Sequence, residues 1–584
     1  MAAFLGVEQS LTGRQWRGPD IEQERLAEAM AQATGLPPAL CHTLARRGVA
    51  PEEAERFLEP TLRELLPDPR ELKDMEPAAT RLLAAVERGE RIAIFADYDV
   101  DGGSSAALLI CWLRALGRAA TLYVPDRIDE GYGPNAPAMQ ELATAHDLIL
   151  CVDCGTLSHE AIAAAGAADV LVLDHHLGGE TLPPALAVVN PNRQDESGAL
   201  AHLCAASVVF LLLVETGRQM RSAGRQGPDL MALLDLAALA TVADVAPLTG
   251  VNRAIVRTGL KVMARRERVG LRALADVAGL NEAPRAYHLG YLLGPRINAG
   301  GRIGQADLGA RLLASDDPAE AQALAERLDA LNRERREIEQ RVTAEAMAQA
   351  EARGTDGPLV WAAGAGWHPG VVGIVASRLK EAFNRPAVVI GLAEGEGKGS
   401  GRSVSGVDLG ASIQRLARDG LLLKGGGHKM AAGLTVAEGR LEEAMARLAD
   451  LLARQGAGAG GPRELKLDGM ILPRAVSIEL IERLEEAGPF GAAAPAPRFA
   501  LPDMAVRHAR RVGESHLKVS LGDGLGGNLD AICFGAFDSP LGPRLESHGG
   551  ARFHFAGRLE INEWNGRRSP QLQLEDAAET AGKG

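Results

Sequence analysis

Residues 91–105 read RIAIFADYDVDGGSS, and this stretch decides how the chain folds. Arg91–Phe95 is a short apolar run of strand type. Asp97, Asp99 and Asp101 follow at once, then Gly102-Gly103 and a serine pair. In open α/β sheets ligands bind at the carboxyl ends of strands, where this acidic turn falls. Three carboxylates at i, i+2 and i+4 repel one another strongly unless a cation neutralises them. Ser104 reads as the first residue of a helix, whose free N–H groups can meet a phosphate. Taken alone, the turn is equally a solvated acidic loop.

The flanking pattern alternates. A helix over Ala78–Glu87 leads into the strand, and the runs Ala119–Val124, Leu148–Val152 and Val170–Leu173 follow with helical segments between them, one near Asn135–Ala145. Apolar runs of this length separated by helices indicate βαβ units and a parallel sheet. Two apolar helices come next, around 201–223 and 229–242. Asp153 closes the strand LILCVD, Asp174-His175-His176 close VLVL, and Asp244 ends the run LAALATVAD. Five aspartates (97, 99, 101, 153, 244) and His175 make an oxygen-rich set with an imidazole, which suits Mn²⁺ or Mg²⁺ better than a thiolate zinc site. Cys151 and Cys154 form a C-x-x-C, but no second such pair exists, and packing cysteines are the simpler reading. Adjacent histidines behind an aspartate at a strand end can divide their work, one on a metal and one on a phosphoryl oxygen.

From Pro318 to Arg353 there is no further Pro and no Gly, while Leu324, Leu328, Leu331, Ile338 and Val342 recur at helical spacing. These 36 residues would make a rod of about 54 Å, read here as a connector between two lobes rather than an ordinary amphipathic core helix. A second α/β unit runs from about 357 to 455, with strand Leu359–Ala362, helix Gly370–Ala382 and strand Ala387–Ile390. A Gly-rich linker, QGAGAGG (455–461), precedes short β-like runs at Val506–Arg511, Leu517–Leu521, Ala531–Phe534, Ala551–Ile561 and Gln571–Leu574, consistent with a small barrel. The charged, helix-like N-terminal arm is expected to pack against the first lobe.

The chain has 584 residues, with 63 Lys+Arg against 76 Asp+Glu, a net charge of −13. Hydrophobic content of 46% and charged content of 24% exclude wholesale disorder. Six scattered cysteines are too few for a disulfide scaffold and point to a reducing compartment. No basic stretch followed by a sustained apolar run opens the chain, and Leu203–Val214 is too short to span a bilayer. A cytoplasmic protein with no membrane partner is expected.

The motifs ADYDVDGGSS (96–105), YVPDRIDEGYG (123–133), VDCG (152–155), LDHH (173–176), ATVADVAPL (240–248) and GPRINAGGRIG (294–304) resemble those of the DHH phosphoesterase family, and within it the single-strand-specific 5′→3′ exonucleases. GWHPGVVGIVASRL (366–379), GSGRS (399–403) and GGGHKMAAG (425–433) resemble the family's DHHA1 domain, and the C-terminal region resembles an oligonucleotide-binding (OB) barrel. The implied fold class is α/β: a parallel-sheet DHH domain (78–316) joined by a long helix (317–354) to a smaller α/β DHHA1 domain (355–456), followed by an OB-like β-barrel (463–577) and preceded by the helical arm (1–77).

The resemblance implies two divalent ions, Mn²⁺ or Mg²⁺, one held by Asp97, Asp99 and Asp153 and the other by Asp101, Asp153, His175 and Asp244. Asp153 would bridge, and hydrolysis would proceed by in-line displacement. Asp153, Asp174 and His176 are the implied catalytic set, with His176 donating to a phosphate oxygen. Many relatives carry a histidine four residues before the first motif aspartate. Here that position is Phe95, and Asp97 is taken as its substitute. Ser400, Arg402 and Arg127 would form a 5′-phosphate pocket, while Arg296, Asn298, Arg302, His368 and His428 are further substrate contacts. Arg507, Arg510, Arg511, Lys518, Arg567 and Arg568, with Phe534 and Trp564, would contact single-stranded DNA on the barrel. At PFGAAAPAP (489–497) the family's Gly and Asn are replaced by Ala493 and Ala494, which leaves that turn open. The implied partner is single-stranded DNA with a free 5′ end. A single-strand-binding protein and a helicase are candidate protein partners, and the chain is expected to be a monomer. The competing activities are a phosphodiesterase for short oligonucleotides or cyclic dinucleotides, a pyrophosphatase, and a non-catalytic DNA-binding relative. The connector and barrel speak against the small substrates, and the complete ligand set against the last.

Overall fold

In the computed structural model, which describes residues 3–126, 130–458 and 463–580, the run after Arg91 forms a strand, β1 (Ile92–Ala96), buried along its whole length. Helix α1 (Met75–Arg88) precedes it, with its apolar face buried and Gly89 closing it in the left-handed conformation. Helix α2 (Val100–Ala115) follows. It starts four residues earlier than the expected Ser104. Asp99 is its cap, one carboxylate oxygen accepting the Asp101 and Gly102 N–H groups at 2.8 and 3.1 Å. The glycine pair therefore lies inside the first turn. A Cβ on Gly102 would stand 2.4 Å from the Asp97 carbonyl oxygen, so only glycine lets this turn wrap onto the Asp97 backbone.

Strands β2 (Ala120–Tyr123), β3 (Leu148–Val152), β4 (Asp169–Leu173) and β5 (Ala187–Val189) complete an all-parallel sheet of order β2-β1-β3-β4-β5. Helix α3 (Ala136–Ala145) lies between β2 and β3 in the chain, with Asn135 as its cap. Phe95 is buried in an apolar cluster and stacks on Tyr123 at 5.2 Å. Helix α4 (Ala205–Ser222) is buried up to its last turn, and helix α5 (Leu234–Ala243) is almost wholly buried.

After α6 (Gly294–Ile303), helix α7 runs Pro318–Arg353, capped by Asp317. It is connector and core helix at once. Its first half buries Ala321, Leu324, Ala325, Leu328 and Leu331, with Leu328 and Leu331 lying over Gly300 and Gly304 beside α6. Its second half sends Val342, Ala346 and Ala350 into a cluster with Val360, Trp367, Val371 and Val375. That cluster belongs to a second, mixed sheet of β6 (Val360–Ala365), β7 (Ala387–Ala393), β8 (Glu396–Arg402), β9 (Lys424–His428) and β10 (Ala431–Ala437), in the order β9-β10-β8-β7-β6. Helix α8 (Pro369–Phe383) links β6 to β7.

Two compact units emerge, Pro67–Ala246 with Gly259–Gly460, and Met1–Leu66 with Pro247–Thr258 and Gly461–Gly584. The second contains β11 (Phe499–Val512), β12 (His516–Gly522), β13 (Asn528–Cys533), β14 (Arg552–Trp564) and β15 (Arg567–Glu579), closed into a five-stranded barrel because β11 pairs with both β12 and β14. The arm's first 66 residues belong here and not on the first lobe. Arg14–Arg17 pairs in parallel with Arg463–Lys466, and Trp16 is fully buried with its indole N–H donating to Asp576 at 2.9 Å. Ala27, Met30, Leu40, Cys41 and Leu44 share one core with Phe499, Leu501, Phe553 and Phe555. The amphipathic faces of Ile21–Thr34 and Pro38–Arg46 thus find their apolar partner in the barrel. Only from Pro67 onward does the arm join the sheet unit, where Asp74 accepts from the Val188 N–H and from Arg193. The altered turn closes through backbone hydrogen bonds exchanged between Gly491 and Ala494, with Ala493 at φ 55°.

Candidate metal centre

The last residues of four adjacent strands are in register: Ala96 faces Val152, Val152 faces Leu173, and Leu173 faces Val189. The next residue on each strand is therefore at one level: Asp97, Asp153, Asp174 and Asn190. Their N–H groups continue the ladder, Asp97 to Val152 O, Asp153 to Leu173 O and Asp174 to Val189 O. Strand order reverses between β1 and β3, the position where open parallel sheets place ligands. Asp153 holds φ 60°, a conformation costly for a residue with a Cβ and characteristic of functional sites.

The six residues proposed as ligands come together here. Asp97, Asp99 and Asp153 each offer one oxygen within 4.8 Å of the others, and so do the donor atoms of Asp101, His175 and Asp244. His175 Nε2 is 3.3 Å from Asp153 Oδ1 and 3.7 Å from Asp101 Oδ2, and its Nδ1 is 3.8 Å from Asp244 Oδ2. Asp101 is buried at the N-terminus of α4, where its oxygens accept the Ala205 and Ala206 N–H groups at 2.7 and 2.8 Å. Burial, then the charges of Asp101, Asp99, Asp97 and Asp174, push Asp153 well above the usual carboxylate range. Burial and the Asp101 and Asp99 charges lift Asp244 to about 8. Asp153 Oδ1 is buried and accepts no hydrogen bond from the described residues. A buried acceptor in a crowd of carboxylates calls for a cation, so this donor set fits divalent metal.

The turn carrying His175 and His176 is built on Asp174 together with Thr156, Asn190, Asn192 and Tyr132, four residues given no role by the sequence alone. Asp174 accepts from the Thr156, His175 and His176 N–H groups and from His176 Nδ1 at 2.8 Å. Both its oxygens accept hydrogen bonds from this turn. Burial would raise its carboxyl, but these hydrogen bonds and the His176 charge hold it well below the usual range. Burial would likewise lower the His176 imidazole, yet Asp174 outweighs it and lifts His176 to about 9. Fully buried Asn190 donates to Thr156 Oγ1 and His176 O, each at 2.8 Å, and Asn192 donates to His175 O at 2.6 Å. Tyr132 OH is 3.1 Å from His176 Nδ1 and donates to Asp153 O at 3.0 Å. The signals were present in V-V-N-P-N (188–192), following a strand, and in the G-Y-G of the 123–133 motif.

The other candidates divide. His368 caps α8, its Nδ1 accepting the Gly370 N–H, and Arg302 Nη1 donates to Gly370 O at 3.1 Å. Arg402 Nη1 donates to Ser400 Oγ at 3.0 Å, and both side chains lie over Gly373 in the first turns of α8. His428 pairs with Ala431, which pairs with Arg402, so these three share one sheet face. His368, Arg302, Ser400 and Arg402 thus gather at a helix N-terminus, a natural anion site. Arg296 is instead buried in an ion pair with Asp329 at 3.0 Å, and Asn298 accepts the Val100 N–H at 3.1 Å. Each is thus tied to the scaffold through one part of its side chain, Arg296 through Nε and Nη1 and Asn298 through Oδ1. Arg127 lies outside the described residues. On the barrel, Arg511 is paired with Glu546, Arg568 with Glu482 and Lys518 with Asp530. Arg507 packs over Gly522 and Arg510 lies opposite Lys518. Arg567 is exposed, as are Phe534 and Trp564. No helix among the described residues is long and apolar enough to cross a membrane.

Fold and site together define a DHH-type phosphoesterase scaffold, and the model of the DHH family's N-terminal domain matches residues 91–241. The DHHA1 domain matches 356–454 and the RecJ OB domain matches 467–576. The chain is 40% identical to the single-stranded-DNA-specific exonuclease RecJ of Dickeya dadantii over 92% of its own length and 96% of that protein's. The crystal structure of RecJ from Thermus thermophilus in complex with Mn²⁺ superposes with a TM-score of 0.80 at 33% identity, covering 97% of this chain and 80% of that one. The same protein with Mg²⁺ gives 0.73 at 31% identity, covering 97% and 79%. The chain belongs to the RecJ family.

Proposed function

We propose that this chain is a metal-dependent exonuclease that removes mononucleotides from single-stranded DNA in the 5′→3′ direction, acting in DNA repair and recombination. The observation that carries the reading is the pair of acid clusters at one sheet edge, linked through Asp153 and His175, in a chain of the RecJ family. On this reading Asp97, Asp99 and Asp153 hold one divalent ion and Asp101, Asp153, His175 and Asp244 the other. Mn²⁺ or Mg²⁺ bound there supplies Lewis acidity and charge neutralisation for phosphodiester hydrolysis. The chain's own residues do the rest. His176, kept protonated by Asp174, offers a hydrogen bond to the phosphoryl oxygen on which charge accumulates. Tyr132 and Asn190 fix its place. Arg402 and Ser400 receive the 5′-terminal phosphate at the N-terminus of α8, which orients the strand and gives polarity. Arg127 joins that pocket by family resemblance, and Arg302, His368 and His428 are further substrate contacts.

The same reading takes 78–316, 355–456 and 463–577 as the phosphoesterase, DHHA1 and barrel domains. It places the protein in the cytoplasm as a monomer, with a single-strand-binding protein and a helicase as partners. The test is direct. Purified protein with Mn²⁺ or Mg²⁺ is offered single-stranded DNA, RNA, duplex and dinucleotides, labelled at either end. Mononucleotides released first from the 5′ end of single strands are expected, and cleavage of dinucleotides alone would reject the reading.

A further inference from the structure

Two of the chain's five tyrosines, Tyr287 and Tyr291, stack on each other with ring centroids 5.2 Å apart and planes inclined by 23°. They remain 65% and 70% exposed. The first precedes and the second lies within a π-helical turn, His288–Leu293, that runs straight into α6. Such turns are rare and concentrate at functional sites. This one is held firmly. His288 is buried, its Nδ1 accepting the Arg285 N–H at 3.0 Å, its Nε2 3.4 Å from Glu282 and its ring edge-on to Tyr287 at 5.7 Å.

Glycines bring the turn against the end of α5. A Cβ on Gly290 would meet Val242 at 3.4 Å and one on Gly294 would meet Ala243 at 3.4 Å, the two residues before Asp244. Val245, on the other side of Asp244, is 69% exposed at φ 61°. A stacked aromatic pair thus stands beside the helix end that delivers a proposed metal ligand. Aromatic residues are only 4% of this chain, and burial accounts for neither ring.

We propose that Tyr287 and Tyr291 form a stacking platform for an unpaired nucleobase of the substrate strand, next to the phosphate held at the metal centre. The proposal rests on the nuclease reading above and assigns how the strand is recognised. The occupant follows from shape and position. A stacked pair presents a flat π-face rather than a groove, and base–aromatic stacking is indifferent to sequence. A base in a duplex has both faces covered by its neighbours, so the platform favours single strands.

The test uses the full-length protein and 5′-phosphorylated oligodeoxynucleotides carrying 2-aminopurine, or an abasic site, at successive positions from the 5′ end. Fluorescence and anisotropy are read in EDTA, without turnover. Wild-type protein should quench 2-aminopurine at one position. Tyr287→Ala/Tyr291→Ala should lose that quench and bind roughly 5- to 150-fold more weakly, while Tyr287→Phe/Tyr291→Phe keeps both properties. An abasic site at the same position should weaken the wild type by a similar factor and the alanine variant no further. Unchanged quenching in the alanine variant, failure of the phenylalanine variant, or additive loss at the abasic site would each overturn the platform. If wild-type samples given Mn²⁺ bind single strands without hydrolysing them, the nuclease reading falls, and the platform is judged on the binding data alone.

Discussion

Asn190 offers the sharpest test of how the histidine turn is held. It is fully buried and makes three hydrogen bonds at 2.7 to 2.8 Å: to Thr156 Oγ1, to His176 O, and from the Asn192 N–H. At about 0.5–1.5 kcal/mol each, Asn190→Ala should cost about 3 kcal/mol of stability. Asn190→Asp should cost about 1 kcal/mol more at pH 8, despite its matching shape. The Thr156 hydroxyl can turn to donate to a carboxylate, but the His176 carbonyl cannot, and Asp174 and Asp153 lie at the same level of the sheet. Toward pH 5 the new carboxyl takes a proton, can donate again, and the penalty should shrink. Because His176 moves with its carbonyl, either change should also lower kcat, on the order of 100-fold for a displacement of about 1 Å, with little effect on KM. Urea unfolding at the two pH values and single-strand hydrolysis measure both quantities. An Asn190→Asp protein as stable and active as wild type would refute the reasoning.

Three further outcomes follow from the same geometry. Ala493→Gly should stabilise the barrel unit by about 0.5–1 kcal/mol. The left-handed conformation costs alanine about 1–2 kcal/mol and glycine's extra chain entropy returns about 0.5–1; a lower urea midpoint would contradict this. Asp244, at about 8 when folded against an ordinary 3.8, holds a proton that the unfolded chain has released, so metal-free stability should fall as pH rises from about 4 to about 8. The gain on adding Mn²⁺ should accordingly grow from pH 5 to pH 8, and a gain independent of pH would contradict the assignment. Arg402→Ala should slow hydrolysis of 5′-phosphorylated single strands more than that of 5′-hydroxyl strands, and equal losses would remove the pocket at α8.

What was legible in the sequence was whatever sits beside a strand end. Asp97, Asp153 and Asp174 each follow an apolar run, so their convergence could be read from alternation alone. Asp244 could be placed at a helix end and counted with the set by residue type, but its division between the two ion sites came only from the family resemblance. The start of α2 was misplaced because a glycine pair usually breaks a helix. Here the approach of the Asp97 backbone demands glycine, and Asp99 caps from outside. Arg296 and Asn298 stand in a glycine-rich motif that says nothing of their scaffold contacts. Their partners, Asp329 and the Val100 N–H, are 33 and 198 residues away, a distance no local pattern reports. The same limit hid the pairing of Arg14–Arg17 with Arg463–Lys466, and with it the true place of the arm. Asn190 and Asn192 were passed over because an asparagine after a strand ordinarily signals only a turn.

The central claim is that Asp153 joins two cation sites at the edge of one parallel sheet. Anomalous diffraction from crystals of the full-length protein grown with Mn²⁺ tests it most directly. Two manganese peaks sharing the Asp153 carboxylate are expected, one against Asp97 and Asp99 and the other against Asp101, His175 and Asp244. A single ion, or two ions neither of which touches Asp153, would contradict it.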